Sequence, residues 1–355
     1  MPKRTTTLSQ LSAELGLSPT SISMILNHKN LSSFNAETVN RVMQVAEERG
    51  YRKRAATSHN VAILCPSVMN PYYATIIQGM EQVLRANGYG SRIFTSYWSP
   101  ENERQTLEEL SAENTAGVLY CMIPLQGELA QQKSKELPMV VVGDRRTDLS
   151  VDMIELNNYQ CGVLVAEHLI ALGHQRVAYV STTLDDAHSS RVRRLEGIRD
   201  SYARLCPQGS VQVLEQTVTP LLELDQCSIE HQVGYQLITD NLHKLDVTAF
   251  MAINDMVAYG VRDALLDAGK RIPEDYSVTG CDNIYPSRFK GVELTTVEHS
   301  VEQRGRGAAR LLLNRMQAGA GVENEDNAFT RIEYMSCLVK GSTTAQPRGS
   351  VIESK

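Results

Sequence analysis

The first fifty residues carry apolar side chains at the spacing of three short helices. Leu8, Leu11 and Leu15 recur at positions i, i+3 and i+7, which places them on one face of a helix. Gly16 suits the left-handed residue that ends a helix, and Ser18 suits the N-cap that begins the next one. A second helix has its predicted apolar face at Ile22, Ile25 and Leu26. A third helix is predicted over 35–50, with an apolar face at Val39, Val42, Met43 and Ala46.

The turn between the first two helices is typical of two different structures. Pro19 suits the first helical position, where its missing N–H costs nothing, and polar residues surround the start of the second helix. A helix-turn-helix presents a second helix of this kind to the major groove of DNA. A structural helical hairpin has the same pattern, so these residues by themselves leave both interpretations open.

Charge separates this amino-terminal head from the rest of the chain. Residues 1–60 contain eight Lys and Arg and four Glu, a net charge of +4. The remaining residues contain 27 basic and 37 acidic side chains, a net charge of −10. Because phosphate attracts a basic domain and repels an acidic one, this distribution favours DNA binding by the head.

From Val61 onward, in the body of the chain, short apolar runs alternate with segments of helical periodicity. This alternation predicts parallel βαβ units in doubly wound α/β sheets. Two lobes of similar size are expected, near 61–158 and 159–290, with a crevice between them. The predicted strands are 61–65, 92–94, 117–121, 139–142, 177–181, 211–214, 250–253 and 277–280, and the predicted helices are 73–87, 101–114, 160–172, 191–205, 230–242 and 256–268.

Polar and aromatic residues follow the ends of five predicted strands. Taken singly, each residue is explained equally well by a binding role and by helix capping or a surface ion pair. Taken together they predict a binding site, because ligands bind beyond the carboxyl ends of such strands. Carboxylates and amides bind hydroxyl groups and a tyrosine ring offers a stacking face, so a polyhydroxylated or nucleoside-like ligand is expected. The residues are Asn70, Tyr72, Tyr73, Asp144, Arg145, Arg191, Arg193, Arg194, Asn254, Asp255, Asp282 and Asn283.

Composition argues against secretion, a membrane location and catalysis. The 355 residues start without an apolar leader and contain no run of about 18 apolar residues. The seven cysteines are scattered singly, which is typical of reduced thiols in a cytoplasmic protein. The sequence lacks the glycine-rich phosphate loops, the G-x-S-x-G elbow and the H-E-x-x-H zinc motif. We therefore expect no catalytic residue, no metal and no cofactor.

The order of short motifs along the chain resembles the LacI/GalR family of bacterial transcription regulators. Each motif is weak by itself, but their order and spacing make the assignment specific. The resemblance covers the head to Tyr51 and the body from Val61 to about Thr343. The motifs lie at 8–12, 23–27, Gly50-Tyr51, Asn70-Pro71-Tyr72-Tyr73, Gly143-Asp144-Arg145, 168–177, Arg194-x-x-Gly197, Asn254-Asp255, 273–282 and Leu294-Thr295-Thr296-Val297.

The resemblance implies an α/β fold with a three-helix helix-turn-helix head and a two-lobed, periplasmic-binding-protein-like body. It implies a homodimer that reads operator DNA, acts as a repressor of a sugar catabolic or transport operon, and binds a sugar-type effector between its lobes. The expected domains are a DNA-binding domain over 1–51, a basic linker over 52–60 and a polar tail over 346–355. Because the family chain crosses three times between its lobes, the amino-terminal lobe is expected at 61–158 and 292–321 and the carboxy-terminal lobe at 159–291 and 325–345.

The resemblance also assigns residues to the two ligands. Pro19, Thr20 and Met24 are expected to face bases, with Ser21 and Asn27 nearer the phosphates. The full set of expected DNA contacts is Thr7, Ser18, Pro19, Thr20, Ser21, Met24, Asn27, His28, Arg52, Lys53 and Arg54. The expected effector contacts are Tyr72, Tyr73, Asp144, Arg194, Asn254 and Asp282.

The chain departs from the family pattern at four places, one of which is Glu293 in place of a usual proline. Met24 stands where the family usually has a guanine-reading arginine, so apolar contact with a thymine methyl is expected instead. Ile229 stands near the stacking position of the second lobe, which leaves ring stacking to Tyr72 or Tyr73. The linker 52–60 lacks the proline and leucine of the family's hinge helix, and its basic run at 52–54 is either a phosphate-binding arm or a solvated tether.

Two other classes of protein share part of this pattern. A solute-binding protein of a transporter has a two-lobed body, but it carries a signal peptide and no basic head. A regulator of the same family that answers to a protein partner or to a nucleoside would differ only in the chemistry of its cleft. The polar cleft favours a small molecule over a partner.

Overall fold

The computed structural model describes residues 8–26, 33–49, 58–144, 149–318 and 328–348. The chain divides into two compact units, residues 1–57 and 58–355, which are the head and the body. This division falls inside the predicted linker. Within the described ranges, no helix combines the length and the apolar character that a membrane span needs.

The described part of the head contains the helices α1 (Leu8–Leu15), α2 (Pro19–Leu26) and α3 (Ala36–Glu48). Ser18 caps α2, because its Oγ accepts a hydrogen bond from the backbone N–H of Ser21 at 3.0 Å. Asn35 caps α3 by accepting the N–H of Thr38 at 2.6 Å. Gly16, with a φ of +66°, adopts the left-handed conformation expected at the end of α1. The buried core of the head is Leu11, Ile22, Ile25, Val42 and Ala46.

The first lobe of the body is built on a six-stranded parallel sheet. Its strands are β1 (Asn60–Cys65), β2 (Gly90–Thr95), β3 (Gly117–Tyr120), β4 (Met139–Gly143), β5 (Asp152–Glu155) and β11 (Arg331–Glu333), in the spatial order β11-β5-β4-β3-β1-β2. Its helices are α4 (Pro71–Ala86), α5 (Pro100–Glu109), α6 (Gly127–Lys133) and α12 (Val301–Ala318). Alternate residues of β1 enter two separate cores, one with α4 and α12 and one with α5 and α6, so the sheet is covered on both faces.

Two glycines allow α4 and α12 to pack closely. A Cβ atom at Gly79 would lie 2.2 Å from the carbonyl oxygen of Glu302, and one at Gly305 would lie 2.1 Å from that of Ile76. Any larger residue would push the helices apart. The start of α12 is therefore held tightly against the first lobe.

The second lobe is built on a four-stranded parallel sheet in the order β7-β6-β8-β9. Its strands are β6 (Arg176–Thr182), β7 (Ser210–Gln216), β8 (Ala249–Ala252) and β9 (Ser277–Thr279). Its helices are α7 (Asn158–Leu172), α8 (Ser189–Leu205), α9 (Pro220–Asp225), α10 (Ile229–Asn241) and α11 (Asp255–Asp267). The antiparallel pair β10 (Thr296–Glu298) and β12 (Cys337–Val339) lies beside it, with Val297 in the core of this lobe.

The structure moves two of the predicted lobe boundaries. Residues 292–297 were expected in the first lobe, but Leu294 and Val297 are buried in the core of the second lobe and Thr295 bridges to Thr279. Residues 325–345 were expected in the second lobe, but β11 pairs with β5 of the first lobe. Both errors have one cause, since strand pairing across the molecule leaves no mark on the local pattern.

Seven elements of the body are absent from the sequence prediction. Three of them, β5, α6 and α9, are four to seven residues long, so their apolar periodicity is too brief to detect. The other four, β10, α12, β11 and β12, lie beyond residue 280, where the sequence analysis predicted only which lobe the chain enters. Helix α5 also ends earlier than predicted, because Leu110 is already extended, with φ −76° and ψ 132°. The remaining strands and helices of the body lie within a few residues of their predicted bounds.

Candidate functional site

A polar cavity lies between the two lobes of the body, beyond the carboxyl ends of strands from both sheets. Its enclosed volume is about 80 Å³, room for several water molecules or one small polar molecule. Its lining includes Asn70, Tyr72, Tyr73, Trp98, Asp144, Asn158, Arg191, Arg194, Glu230, Asn254 and Asp282.

All six predicted effector contacts line this one cavity. The first lobe contributes Tyr72, Tyr73 and Asp144, and the second lobe contributes the other three, Arg194, Asn254 and Asp282. The convergence follows from the parallel sheets, since every strand end in a lobe points to the same edge. Of the other strand-end residues named from the sequence, Asn70 and Arg191 also line the cavity.

Two asparagine caps hold the first residues of their helices at the cavity wall. Asn70 Oδ1 accepts the backbone N–H of Tyr72 at 2.9 Å and so begins α4. This cap sets the rings of Tyr72 and Tyr73 edge to face, with centroids 4.9 Å apart. Asn254 Oδ1 accepts the N–H of Val257 at 2.9 Å and begins α11 in the same way.

A chain of polar side chains crosses the cavity from one lobe to the other. Asn158 donates to Asp144 Oδ1 at 2.9 Å and accepts from Arg194 Nε at 2.8 Å. Arg194 Nη2 lies 3.7 Å from Asp282 Oδ1, which is also 3.0 Å from Nε2 of His299. Asp144 Oδ2 is buried and has no protein hydrogen-bond partner in the described part of the chain. This oxygen can accept a hydrogen bond from a bound molecule.

Burial changes the protonation of several groups in this chain. Removal from water raises the pKa of Asp282 to about 7, although the nearby Arg194 opposes that shift. Burial likewise raises the pKa of Asp144, against its hydrogen bond from Asn158. Burial, helped by the charge of Arg304, lowers the pKa of His299 to about 3, so this imidazole is neutral at physiological pH.

Glu230 is a cavity residue that the sequence analysis missed. Its Oε2 accepts a hydrogen bond from the Asn70 side chain at 2.7 Å, and its Oε1 accepts one from the Asn254 side chain at 2.9 Å. Burial raises the pKa of its carboxyl group. The neighbouring Ile229, which the family pattern places near the stacking position, is buried and does not line the cavity. No periodicity distinguishes these two residues at the start of α10.

Trp98 adds a third aromatic ring to the cavity, beyond the two tyrosines that the sequence analysis considered. Its ring centroid lies 4.4 Å from that of His188, and the Arg191 guanidinium carbon lies 5.5 Å from its ring. Trp98 follows β2, whose end carried no predicted site residue. The first lobe therefore supplies Trp98 and the two tyrosine rings, and the second lobe supplies the cationic group over Trp98.

One group of side chains in the described ranges has the spacing of metal ligands. Cys281, Asp282 and His299 each offer a ligand atom, and these atoms lie within 4.8 Å of one another. The guanidinium of Arg194 is 3.7 Å from the same aspartate, and its charge opposes a divalent cation there. The absence of a metal remains a prediction.

The head places five of the predicted DNA contacts at the start of α2 or on it. Ser18 and Thr20 are exposed, and Ser21 and Met24 are half-buried. Pro19 begins α2, as expected. The other predicted contacts, Thr7, Asn27, His28, Arg52, Lys53 and Arg54, lie outside the described residues.

The body matches a known protein family. The periplasmic binding protein-like domain family matches residues 166–344, half of the chain. Among curated proteins, the chain is 27% identical over 320 residues to the HTH-type transcriptional repressor PurR of Haemophilus influenzae strain PittEE, covering 87% of this chain and 91% of that protein. A PurR of Mannheimia succiniciproducens is 25% identical over a similar span.

Solved structures share the fold of the body. A LacI family transcriptional regulator of Enterococcus faecalis V583 with bound ribose superposes with a TM-score of 0.67 at 25% identity, over 81% of this chain and 99% of that one. The complex of the transcriptional regulator CelR with cellobiose superposes with a TM-score of 0.63 at 21% identity, over 95% and 99%. The sequence prediction of the fold is confirmed.

Proposed function

Because this chain belongs to the LacI/GalR family of transcriptional regulators, we propose that it represses a sugar catabolic or transport operon under the control of a sugar-type effector. The observation that carries this proposal is the cavity between the lobes, where carboxylate, amide, guanidinium and aromatic groups converge. A ligand held by both lobes favours one arrangement of them, and that preference is the signal passed to the head.

The chemistry of the cavity supports a hydroxyl-rich ligand. The unpartnered Oδ2 of Asp144 and the carboxylates of Glu230 and Asp282 are hydrogen-bond acceptors, and hydroxyl groups are the donors that match them. The ribose and cellobiose complexes of similar regulators are consistent with this choice. A nucleoside is the second candidate, because Trp98 and Tyr72 offer rings on which a base can stack.

For the head, we propose that α2 enters the major groove of operator DNA. Thr20 and Met24, with Pro19, are the proposed base contacts, and Ser18 and Ser21 lie close enough to the start of the helix to meet phosphate. Thr7, Asn27, His28 and the basic run 52–54 complete the proposed set. A protein that reads genomic operators acts in the cytoplasm, where we place it.

We further propose that the protein acts as a homodimer, so that two heads read two half-sites. An exposed aromatic pair in the second lobe supports self-association. Tyr285 is 63% exposed and Phe289 is 52% exposed, and their rings pack edge to face with centroids 5.6 Å apart. Solvent-exposed aromatic residues of this size are common at protein interfaces.

A thermal-unfolding screen of the full chain tests the effector class. Panels of free sugars, sugar phosphates and nucleosides are compared at equal concentration, since a ligand of the native state raises the unfolding temperature. We expect a free sugar to raise it by about 5 °C at saturation. A shift with nucleosides only would replace the sugar proposal by the second candidate, and a panel without any shift would contradict a small-molecule effector.

A DNA-binding assay tests the other half of the proposal. Duplexes selected by the protein from a random library are measured by fluorescence anisotropy, with and without the compound found in the screen. We expect specific binding that the compound changes at least tenfold. A protein that binds the compound but selects no duplex would be a solute-binding protein instead.

A further inference from the structure

Arg304, in the first turn of α12, is the largest side chain of the body that is completely buried. Its backbone N–H donates to the carbonyl oxygen of Ser300 at 2.9 Å, next to the segment that leads from β10 in the second lobe into α12 in the first. Its Nη2 donates to the carbonyl oxygen of Tyr334, in the segment between β11 and β12. Arg304 therefore lies at the hinge, which we define as the crossing segments 298–301 and 333–337.

The guanidinium of Arg304 is incompletely satisfied. Nη2 has its bond of 2.9 Å to Tyr334, and the guanidinium carbon lies 5.9 Å from the ring of the same residue. Nε and Nη1 are buried and have no hydrogen-bond partner among the described residues. Nor does any carboxylate of the described ranges form an ion pair with this side chain.

Other arginines near this lobe's sheet show the usual arrangement. Arg315, three turns further along α12, pairs with Asp152 through both Nε and Nη2. Arg331 on β11 pairs with Glu155 at 3.1 Å. Both of these partly exposed side chains have a carboxylate, whereas the fully buried Arg304 has none. The difference is unexpected, because burial makes an uncompensated charge more costly.

The surroundings of Arg304 favour a negative charge. The charges of Arg304 and Arg194 both act to lower the pKa of the buried Tyr72 hydroxyl and the pKa of His299. The carboxylates of this region bind other groups. Asp282 is shared between Arg194 and His299, Glu298 accepts a hydrogen bond from the Asn283 side chain, and Glu333 accepts one from the Asn157 side chain. Burial raises the pKa of Tyr72, so its hydroxyl keeps the proton and remains a hydrogen-bond donor. Two buried guanidinium groups therefore lie in this region. None of its described carboxylates accepts a hydrogen bond from Arg304, although the charge of Glu333 acts on it from a distance.

Water and an anion would satisfy this site differently. Water can accept from Nε and Nη1 of Arg304, but it brings no negative charge to them. A small anion accepts the same hydrogen bonds and also neutralises the charge. The two donors without an acceptor belong to one fully buried guanidinium, so a monovalent ion fits better than a phosphate.

We propose that Arg304 is the centre of an internal binding site for a small monovalent inorganic anion of the chloride type, at the hinge between the lobes. Nε and Nη1 of Arg304 are its principal donors, and Tyr72 forms the wall between this site and the effector cavity. The site is separate from that cavity, whose lining does not include Arg304. The proposal does not depend on the identity of the effector or on DNA binding.

Crystals of the full chain soaked in sodium bromide test the site directly. We expect an anomalous bromide peak within hydrogen-bonding distance of Arg304 Nε or Nη1, and none there in the Arg304→Met protein. Density that refines as water, with no anomalous signal, would overturn the proposal. A peak without any chloride effect in solution would identify an adventitious ion only, which also overturns it.

Thermal unfolding in solution provides the second measurement. Sodium methanesulfonate is exchanged for sodium chloride at constant ionic strength, because the methanesulfonate anion is larger than chloride. No effector or DNA is added. We expect 300 mM chloride to raise the unfolding temperature of the wild-type body by about 5 °C. The Arg304→Met protein should lose this increase, because methionine keeps the packing volume but has no charge. Arg310→Met, an exposed position on the same helix, is the matched control and should keep the increase.

A cysteine variant separates the anion from a charge supplied by the protein. The thiol of Cys161 also acts on the charge of Arg304, and its hydrogen bond with Cys281 lowers its pKa. If its thiolate were the counter-ion, Cys161→Ser would destabilise the protein and wild type would not respond to chloride. That pair of results would contradict the proposal. An unchanged chloride effect in Cys161→Ser would support it.

Discussion

The carboxylate of Glu230 accepts a hydrogen bond from the side chain of Asn70 at 2.7 Å, and this contact joins the two lobes across the cleft. The other oxygen of Glu230 is bonded to Asn254 within the second lobe, so one carboxylate holds both walls of the cavity. A ligand that enters or leaves the cavity must accommodate this contact. The same residue therefore connects ligand binding with lobe position.

Replacing Glu230 by Gln or Asn70 by Ala should weaken the contact between the lobes. We expect each change to lower the free energy of unfolding by about 1.5–3 kcal/mol, since a hydrogen bond to a charged group contributes roughly this much. The two changes together should cost less than their sum, because both remove the same hydrogen bond between the lobes, whereas the loss of the α4 cap belongs to Asn70→Ala alone. Urea unfolding of the four proteins in the double-mutant cycle measures the difference. Strictly additive losses would show that Glu230 and Asn70 are not energetically coupled. The control is Glu274→Gln, at an exposed position.

Replacing Asp282 by Ala should abolish the effector response while leaving operator binding intact. The carboxylate contacts Arg194 and His299 inside the cavity, far in sequence from the head. Loss of a charge-assisted hydrogen bond predicts about 10- to 100-fold weaker ligand binding. Calorimetry with the compound from the screen and anisotropy with the selected duplex measure the two activities. A variant that loses DNA affinity but still binds the compound would contradict the assignment of Asp282.

The raised pKa of Asp282 predicts how stability depends on pH. Its folded-state pKa of about 7 lies above the ordinary value of 3.8, so the native protein retains a proton that the unfolded chain releases between these two values. Relative to Asp282→Asn, wild-type stability should fall as pH rises from 4 to 7, by about 1.4 kcal/mol per unit, and then level off. Urea unfolding across pH 4–8 gives this difference. A difference that is constant with pH would exclude the raised pKa.

The basic run Arg52-Lys53-Arg54 should determine part of the salt dependence of DNA binding. If these residues contact phosphate, changing all three to Ala reduces the slope of log K against log salt by about 2 to 3, because each contact releases a counterion. Anisotropy with one duplex from 50 to 200 mM salt measures the slope. An unchanged slope would identify the run as a solvated tether. Arg41→Ala, at an exposed position on α3, serves as a control for general charge.

The local pattern of the sequence predicted most helices and strands and every one of the six named cavity residues. Those residues follow strands, and all strands of a parallel sheet end at one edge, so chain position is enough to bring them together. The prediction failed where a partner lies far along the chain. Glu230 and Asn70 are 160 residues apart, and β11 pairs with β5 across a similar separation, so neither contact affects local periodicity.

Arg304 illustrates the same limit most clearly. In the sequence it is one of several arginines in an amphipathic helix, where a charged residue is normally solvated. Only the packing of α12 against α4, which Gly79 and Gly305 permit, and the return of the chain at Tyr334 bury its guanidinium. The sequence by itself determined the two-part architecture, the caps of the head and the polar strand ends, because these depend on neighbours a few residues away. The tertiary structure alone decided which groups meet at the hinge and across the cleft, because those contacts exist only when distant segments are packed together.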